Sequence, residues 1–168
     1  MPHFIRLAAL IVFTSLAPSM SHAATPVIVI HGGAGVIRAD MTPNKEKAIR
    51  ADLERALRAG YDALKSGAPA MDAVTREITI LEDSPLFNAG KGAVFNHDGK
   101  NEHDAAVMDG ATLRAGAIAN VHRVKNPVLL ARAVMEKSKH VMLVGDGAEE
   151  FAKEAGVELV DPKYFYTE

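Results

Sequence analysis

The stretch Leu81 to Gly92, LEDSPLFNAGKG, constrains the chain more than any other. It ends a helix, turns at Pro85 and passes through two positions that only glycine tolerates freely. Ser84-Pro85 pushes residue 84 out of the helical region, and Gly90 and Gly92 permit backbone angles that other residues avoid. A loop of this shape turns its carbonyls toward something. Leu86 and Phe87 in its middle pin it to a core, so the expectation is a rigid loop on a packed support.

The rest of the composition narrows the classes. A chain of 168 residues with 48% hydrophobic side chains buries one core of ordinary size, not two. The net charge of −2, with both signs interspersed, offers no basic face for nucleic acid. There is no cysteine, which excludes thiol nucleophiles, disulfides and cysteine metal sites. At the N-terminus Arg6 precedes an apolar run, Leu7 to Ala17, followed by small residues at Ser21 and Ala23. That is the outline of a secretory signal peptide over residues 1–23, cleaved after Ala23 or Ala24. The expected product, residues 24–168, is exported to the periplasm or secreted and has no membrane span.

In order, Val27 to Ile30 reads as a strand buried on both faces, leading into the glycine turn His31-Gly32-Gly33-Ala34-Gly35. Its spacing fits neither the dinucleotide fingerprint nor the Walker lysine motif. Thr42-Pro43 opens a helix with Ile49, Leu53, Ala56, Leu57, Gly60 and Leu64 on one face, and Ser66-Gly67 stops it. A second helix from Pro69 is expected to turn Ala70, Val74, Ile78 and Leu81 inward, and Asp72, Arg76 and Glu77 outward. Beyond the central loop, Ala93 to Phe95 and Ala105 to Met108 read as a hairpin around Asn96 to Gly99. Ala115 to Val121, rich in small residues, reads as a third strand packed close beneath a neighbouring layer. Asn126-Pro127 starts a helix, His140 to Gly145 is a strand, and Gly147 to Ala155 is a short helix. Val157 to Val160 reads as a weak strand and Asp161-Pro162 as a helix start carrying Tyr164, Phe165 and Tyr166, three aromatics that either dock or lack partners.

Several side chains invite chemistry. His97, Asp98, Glu102, His103 and Asp104 are of types that bind zinc or iron, yet alternation along a hairpin divides them between two faces. Glu102 and Asp104, two apart, could serve as an acid-base pair, although such pairs are more often structural. His31 is read as a turn or core histidine rather than a general base. Thr25 would become an N-terminal nucleophile after cleavage at Ala24, but Pro26 and the buried strand behind it make it a decoy.

Taken together, HGGAG at 31 to 35, LEDSPLFNAGKGAVF at 81 to 95, NEHDAAVMDG at 101 to 110, AGAIANV at 115 to 121, NPVLLARAVME at 126 to 136 and HVMLVGDGAEEFA at 140 to 152 closely resemble the isoaspartyl peptidase/plant-type L-asparaginase family of N-terminal-nucleophile hydrolases. The ordered series covers essentially all of the chain from Thr25. The resemblance implies an α+β fold, an αββα four-layer sandwich, of which this chain is the α-subunit half. It implies a precursor that cuts itself and assembles as an (αβ)2 heterotetramer. The threonine freed at the start of the β subunit attacks asparagine or a β-aspartyl dipeptide, with its own amine as base. An N-terminal amine ordinarily titrates at roughly 7.7 to 8.0, so much of it is neutral near physiological pH.

The GTVGAVALD-like run that carries that threonine in the family does not occur here, nor do the family's substrate-gripping arginine and aspartate. The resemblance therefore implies an α subunit or truncated precursor that is inactive alone, without a catalytic cofactor. The alternative is a non-catalytic remnant or binding protein that retains the α half; glycosylasparaginase-like specificity fits the motif spellings less well. The resemblance also implies a structural sodium or potassium ion held by main-chain carbonyls of Leu81, Glu82, Ser84, Phe87, Ala89 and Lys91. Supporting roles near the active site fall to Asn88 and to His31, Gly32, Gly33 and Gly35.

Overall fold

The computed structural model describes residues 25–34 and 38–167. The signal-peptide reading and Gly35 lie outside the described residues. Helix α1 spans Pro43–Lys65 and α2 Ala70–Glu82. Strands β1 (His103–Met108) and β2 (Ala115–Val121) follow, then α3 (Pro127–Lys137), β3 (Met142–Val144) and α4 (Gly145–Ala155). The result is a mixed α+β architecture, with β1-β2 antiparallel and β2-β3 parallel.

Helix α1 begins where the cap chemistry directs. Thr42 is extended and its hydroxyl accepts from Lys45 N at 3.2 Å, with Pro43 in the first helical turn. Past the helix, Gly67 takes a φ of +89° and turns the chain back. Glu46–Arg50 and Glu54–Arg58 pairs line the solvent face. Ile49, Ala56, Gly60 and Ala63 are buried against α2, while Leu57 and Leu64 are only half-buried. A Cβ built on Gly60 would lie 2.7 Å from Ile28 Cδ1 and 3.2 Å from Glu77 Oε2. Glycine is thus what lets the two helices and the first segment approach one another.

The inward face of α2 is rotated from the expected one. Ala73, Thr75, Glu77, Leu81 and Glu82 are buried, whereas Ala70 and Val74 are exposed. The cause is a second neighbour. On one side α2 packs on α1; on the other, Arg132 of α3 donates to Thr75 Oγ1 and pairs with Asp72 at 2.6 Å. Two partners bury more of a helix than one apolar stripe predicts.

Residues 27–30 form no strand, and the expectation of burial on both faces is corrected. Val27 and Val29 are 81% and 86% exposed, while Ile28 and Ile30 are half-buried toward α1 and α2. No strand pairs with this segment among the described residues, so it has one supported face. The hairpin also differs. Residues 93–95 contribute only an isolated bridge, Phe95 to Asn101, and the antiparallel pair is β1 with β2 around the turn at Asp109–Arg114. Asn96 Oδ1 accepts from Asp98 N and Lys100 N, and this side-chain turn replaces a ladder. Residues 157–160 likewise make one bridge, Val124 to Leu159. Helix α4 starts two residues earlier than its glycines suggest, at Gly145.

One hydrophobic cluster lies between the sheet and α3/α4, built on Ile118, Val121, Val124, Leu130, Ala131, Val134, Ala148 and Ala152. A second joins α1, α2 and the loop through Ile49, Ala56, Leu81 and Phe87. The other face of the sheet is open: Ala106, Met108, Met142 and Val144 are exposed on it. The carboxy-terminal aromatics dock in part, for Phe165 is fully buried against His103 at a ring separation of 4.3 Å while Tyr166 stays 65% exposed.

A bulge sets the β1/β2 register. His103 pairs with Val121 and Ala105 with Ile118, so Ala119 and Asn120 together face Asp104. Asn120 adopts a φ of +53° and its N–H donates to Asp104 Oδ1 at 2.9 Å. Asp104→Ala should cost about 1 kcal/mol in urea unfolding; an unchanged midpoint would remove the carboxylate from any role in the bulge.

Candidate functional site

The site is built where α2 hands the chain to the loop. Asp83 N donates back to Thr79 O at 3.0 Å and Ser84 N to Leu81 O at 3.1 Å, which closes the helix. Ser84 is buried; its hydroxyl donates to Asp52 Oδ2 on α1 at 2.6 Å and accepts from Leu86 N at 3.3 Å. That hydrogen bond, with the Arg55 guanidinium, holds the Asp52 carboxyl below its usual range. Phe87 plugs into the core beneath.

The second half of the loop folds back on the first. Ala89 N donates to Phe87 O at 2.8 Å and Gly92 N to Ala89 O at 3.2 Å, within a 3-10 turn at Gly90–Gly92. Gly90 has a φ of +52°, and a Cβ built on it would lie 2.4 Å from Glu82 O. On Gly92 a Cβ would meet Phe87 O at 2.2 Å and Pro85 O at 2.9 Å. The carbonyl oxygens of Glu82, Pro85 and Phe87 therefore crowd the two glycines, in a space that any side chain would fill. Asn88 Oδ1 accepts from Val94 N at 3.0 Å and fastens the exit. Lys91 sends its Nζ over the Tyr164 ring, 5.4 Å from the centroid.

The glycine turn meets this loop. A Cβ on Gly32 would stand 2.9 Å from Phe87 Cε1 and 3.0 Å from Leu53 Cδ2, so the backbone there lies close against the Phe87 ring. Two segments singled out separately in the sequence are thus in contact. His31 and Gly33 are exposed on that turn. Thr25 is exposed as well.

The hairpin cluster is dispersed. His97 and Asp98 are exposed at the turn, Asp104 serves the bulge, and Glu102 lies 3.8 Å from His122 Nε2. His103 is buried with Nε2 unpartnered, and burial lowers its imidazole to about 4. Among the described residues no three histidine, aspartate or glutamate side chains are placed to hold a metal ion. Asp104 and Glu102 have separate partners, in keeping with the structural reading of the pair.

Sequence patterning missed the buried carboxyls. Glu82 is 3% exposed; Oε1 accepts from Val128 N at the start of α3, Oε2 has no partner, and burial pushes the group up to about 8. Glu77, expected to face outward, is 2% exposed with Oε1 unpartnered and is pushed up to about 7 by burial. Both glutamates stand among apolar neighbours at helical spacing, and only knowledge of the second packing face reveals them.

Burial gives Glu77 a definite pH signature. The native state keeps a proton that the unfolded chain releases above about pH 4.5, so this contribution is complete below that pH and is lost as pH rises to about 7. His103 acts oppositely: its contribution is lost as pH falls from 6.5 toward about 4. Glu77→Gln should therefore be more stable than the parent at pH 8, by up to about 3 kcal/mol, and equal to it near pH 4. Urea unfolding at the two pH values checks this; a variant destabilised at both would contradict it.

The family described as Asparaginase matches residues 24–168. The chain is 51% identical over 142 residues to the isoaspartyl peptidase of Escherichia coli, covering 84% of this chain and 44% of that protein. It is 51% identical over 138 residues to the plant-type L-asparaginase of Pyrococcus abyssi, covering 80% and 43% respectively. Against the isoaspartyl peptidase/L-asparaginase of Mus musculus it is 44% identical over 142 residues, covering 84% and 43%. The chain thus spans less than half the length of these relatives. A family match running from residue 24 to residue 168, with identities of this size across the loop and sheet just described, means that the chain belongs to the isoaspartyl peptidase/plant-type L-asparaginase family.

Proposed function

We propose that this chain is the α-subunit portion of an exported isoaspartyl peptidase/L-asparaginase that hydrolyses β-aspartyl dipeptides and L-asparagine. The observation that carries the reading is the family match from residue 24 to residue 168, in an alignment that covers 43–44% of the relatives. The nucleophile is an N-terminal threonine supplied by the β subunit of the same precursor. Its hydroxyl attacks the side-chain amide or isopeptide carbonyl, its α-amine takes the proton and returns it to the departing amine, and water releases aspartate from the acyl-enzyme. The α portion supplies the wall of the site through the His31 to Gly35 turn and Asn88.

The open sheet face supports the larger architecture. Ala106, Met108, Met142 and Val144 are exposed opposite the α3/α4 layer, and a second sheet from the β subunit covers them in the αββα sandwich of an (αβ)2 heterotetramer. Among the described residues no helix is long and apolar enough to cross a membrane.

The loop also fits a monovalent cation. The carbonyl of Glu82 crowds Gly90 and that of Phe87 crowds Gly92, where a Cβ would fill the space. Neutral carbonyl oxygens suit a hard monovalent ion. Leu81, Glu82, Ser84, Phe87, Ala89 and Lys91 would hold sodium or potassium by their main-chain oxygens. The ion's contribution is structural: it offsets the repulsion of converging carbonyl dipoles and stiffens the loop under the active site.

The activity is tested by incubating the intact gene product with L-asparagine and with a β-aspartyl dipeptide and following aspartate release. Release from both supports the reading. No release from either, by protein that is folded, would favour a binding protein or remnant that retains the α half.

A further inference from the structure

Ser84 ties the loop to α1 by a side-chain hydrogen bond, beside the apolar contact made by Phe87. Its hydroxyl lies between two partners, donating to Asp52 Oδ2 at 2.6 Å and accepting from Leu86 N at 3.3 Å across Pro85. Proline has no N–H, so the Leu86 amide and this hydroxyl provide the polar tie at the turn. Asp52 divides its oxygens: Oδ1 takes the Arg55 guanidinium at 2.9 Å on the solvent side, and Oδ2 faces the buried serine. Asp52 is itself half-buried and Ser84 is 3% exposed, so the hydroxyl–carboxylate bond is shielded from competing water.

We propose that Asp52, acting through Ser84, is a positioning residue that sets the affinity of the loop for a monovalent cation; this rests on the cation reading given above. Two physical contributions add. The pair of hydrogen bonds fixes the backbone from Ser84 to Leu86, so the Ser84 carbonyl is held in place before an ion arrives and less ordering is lost on binding. The carboxylate also sets a negative charge against the Ser84 side chain of the loop, which favours the cation-bound state. Groups that orient metal ligands without touching the ion are typically worth about 10–100-fold in affinity, and Arg55 offsets part of the Asp52 charge, so about tenfold is expected.

The test uses the intact protein and follows its thermal unfolding midpoint while sodium or potassium chloride replaces choline chloride at constant ionic strength. A bound cation raises the midpoint by mass action, so the salt concentration at half the rise reports affinity. For Asp52→Ala, which removes both the tie and the charge, that concentration should rise about tenfold; Ser84→Ala removes the tie alone and should raise it less, and the double variant should add little to Asp52→Ala. Asp52→Asn keeps an acceptor without the charge and should fall between. Arg55→Ala leaves the Ser84 contact in place and should titrate like the parent or slightly more tightly.

If the parent responds to the cation and both alanine variants respond at the same concentration, merely from a lower starting midpoint, the pair is structural only and the inference is overturned while the cation site stands. If the parent is indifferent to sodium and potassium alike, the cation reading fails and the inference falls with it. Should Asp52→Ala not fold, the Asp52→Asn and Ser84→Ala titrations decide alone.

Discussion

Gly116→Ala should lower the unfolding free energy by about 3 kcal/mol or more, a large effect for one added methyl group. Gly116 lies in β2 directly under α3. A Cβ there would stand 2.2 Å from Ala131 O, 2.5 Å from Met135 N and 2.7 Å from Met135 Cβ. Two of these are helix backbone atoms, which cannot swing aside as the end of a long side chain can. The helix would have to lift from the sheet, and the contacts of Ile118, Leu130, Ala131 and Val134 across the same interface would open with it. Gly110 is the control, since nothing lies within 4 Å of a Cβ built there; Gly110→Ala should stay within about 0.5 kcal/mol. Urea unfolding of the two variants checks the contrast. Equal stabilities would mean that α3 does not sit this close to β2.

Gly92→Ala should cost a further large amount, about 2–3 kcal/mol, and should do something that Gly116→Ala does not. The added carbon would lie 2.2 Å from Phe87 O and 2.9 Å from Pro85 O, in the space where the loop's carbonyls converge. Phe87 is one of the residues proposed to hold the cation by its main-chain oxygen, so a side chain that displaces this carbonyl should disturb the site. The expected result is a thermal midpoint that is lowered and no longer rises when sodium or potassium replaces choline, whereas Gly116→Ala keeps its cation response while losing stability. A Gly92→Ala protein that still responds at the parent's salt concentration would separate the glycine from the ion site. Because Phe87 also packs on Gly32, the same variant should disturb the glycine turn, and with it the proposed activity.

Local chemistry was readable wherever it acts within a few residues. Thr42-Pro43, Ser66-Gly67 and Asn126-Pro127 delimit helices at the positions their capping and turning preferences assign. The small residues of Ala115 to Val121 anticipated the close approach of α3. What escaped depends on partners remote in the chain. An apolar β-branched run such as Val27 to Ile30 states a preference for extension, but a strand needs a neighbour, and none among the described residues pairs with it. Glu77 reads as solvent-facing because charge ordinarily is; its burial follows from Gly60 opposite it, which leaves room for a carboxyl between two helices. Asp104 reads as one of a carboxylate pair that is more often structural, and its partner, Asn120 in the bulge, is a register irregularity that no local pattern announces. The loop itself was legible as a rigid, glycine-dependent turn. Its junction with the His31 to Gly33 turn was not, because the contact runs through the Phe87 side chain to a segment remote in the chain.

The most direct measurement is intact-mass spectrometry of the native protein, purified from its source and denatured before analysis. The account predicts two chains from one gene: an α chain that begins near residue 24, and a partner of comparable size whose first residue is threonine. A single uncut species, with no threonine-led chain accompanying it, would contradict the proposed self-processing hydrolase and would leave the family membership and the fold without the activity.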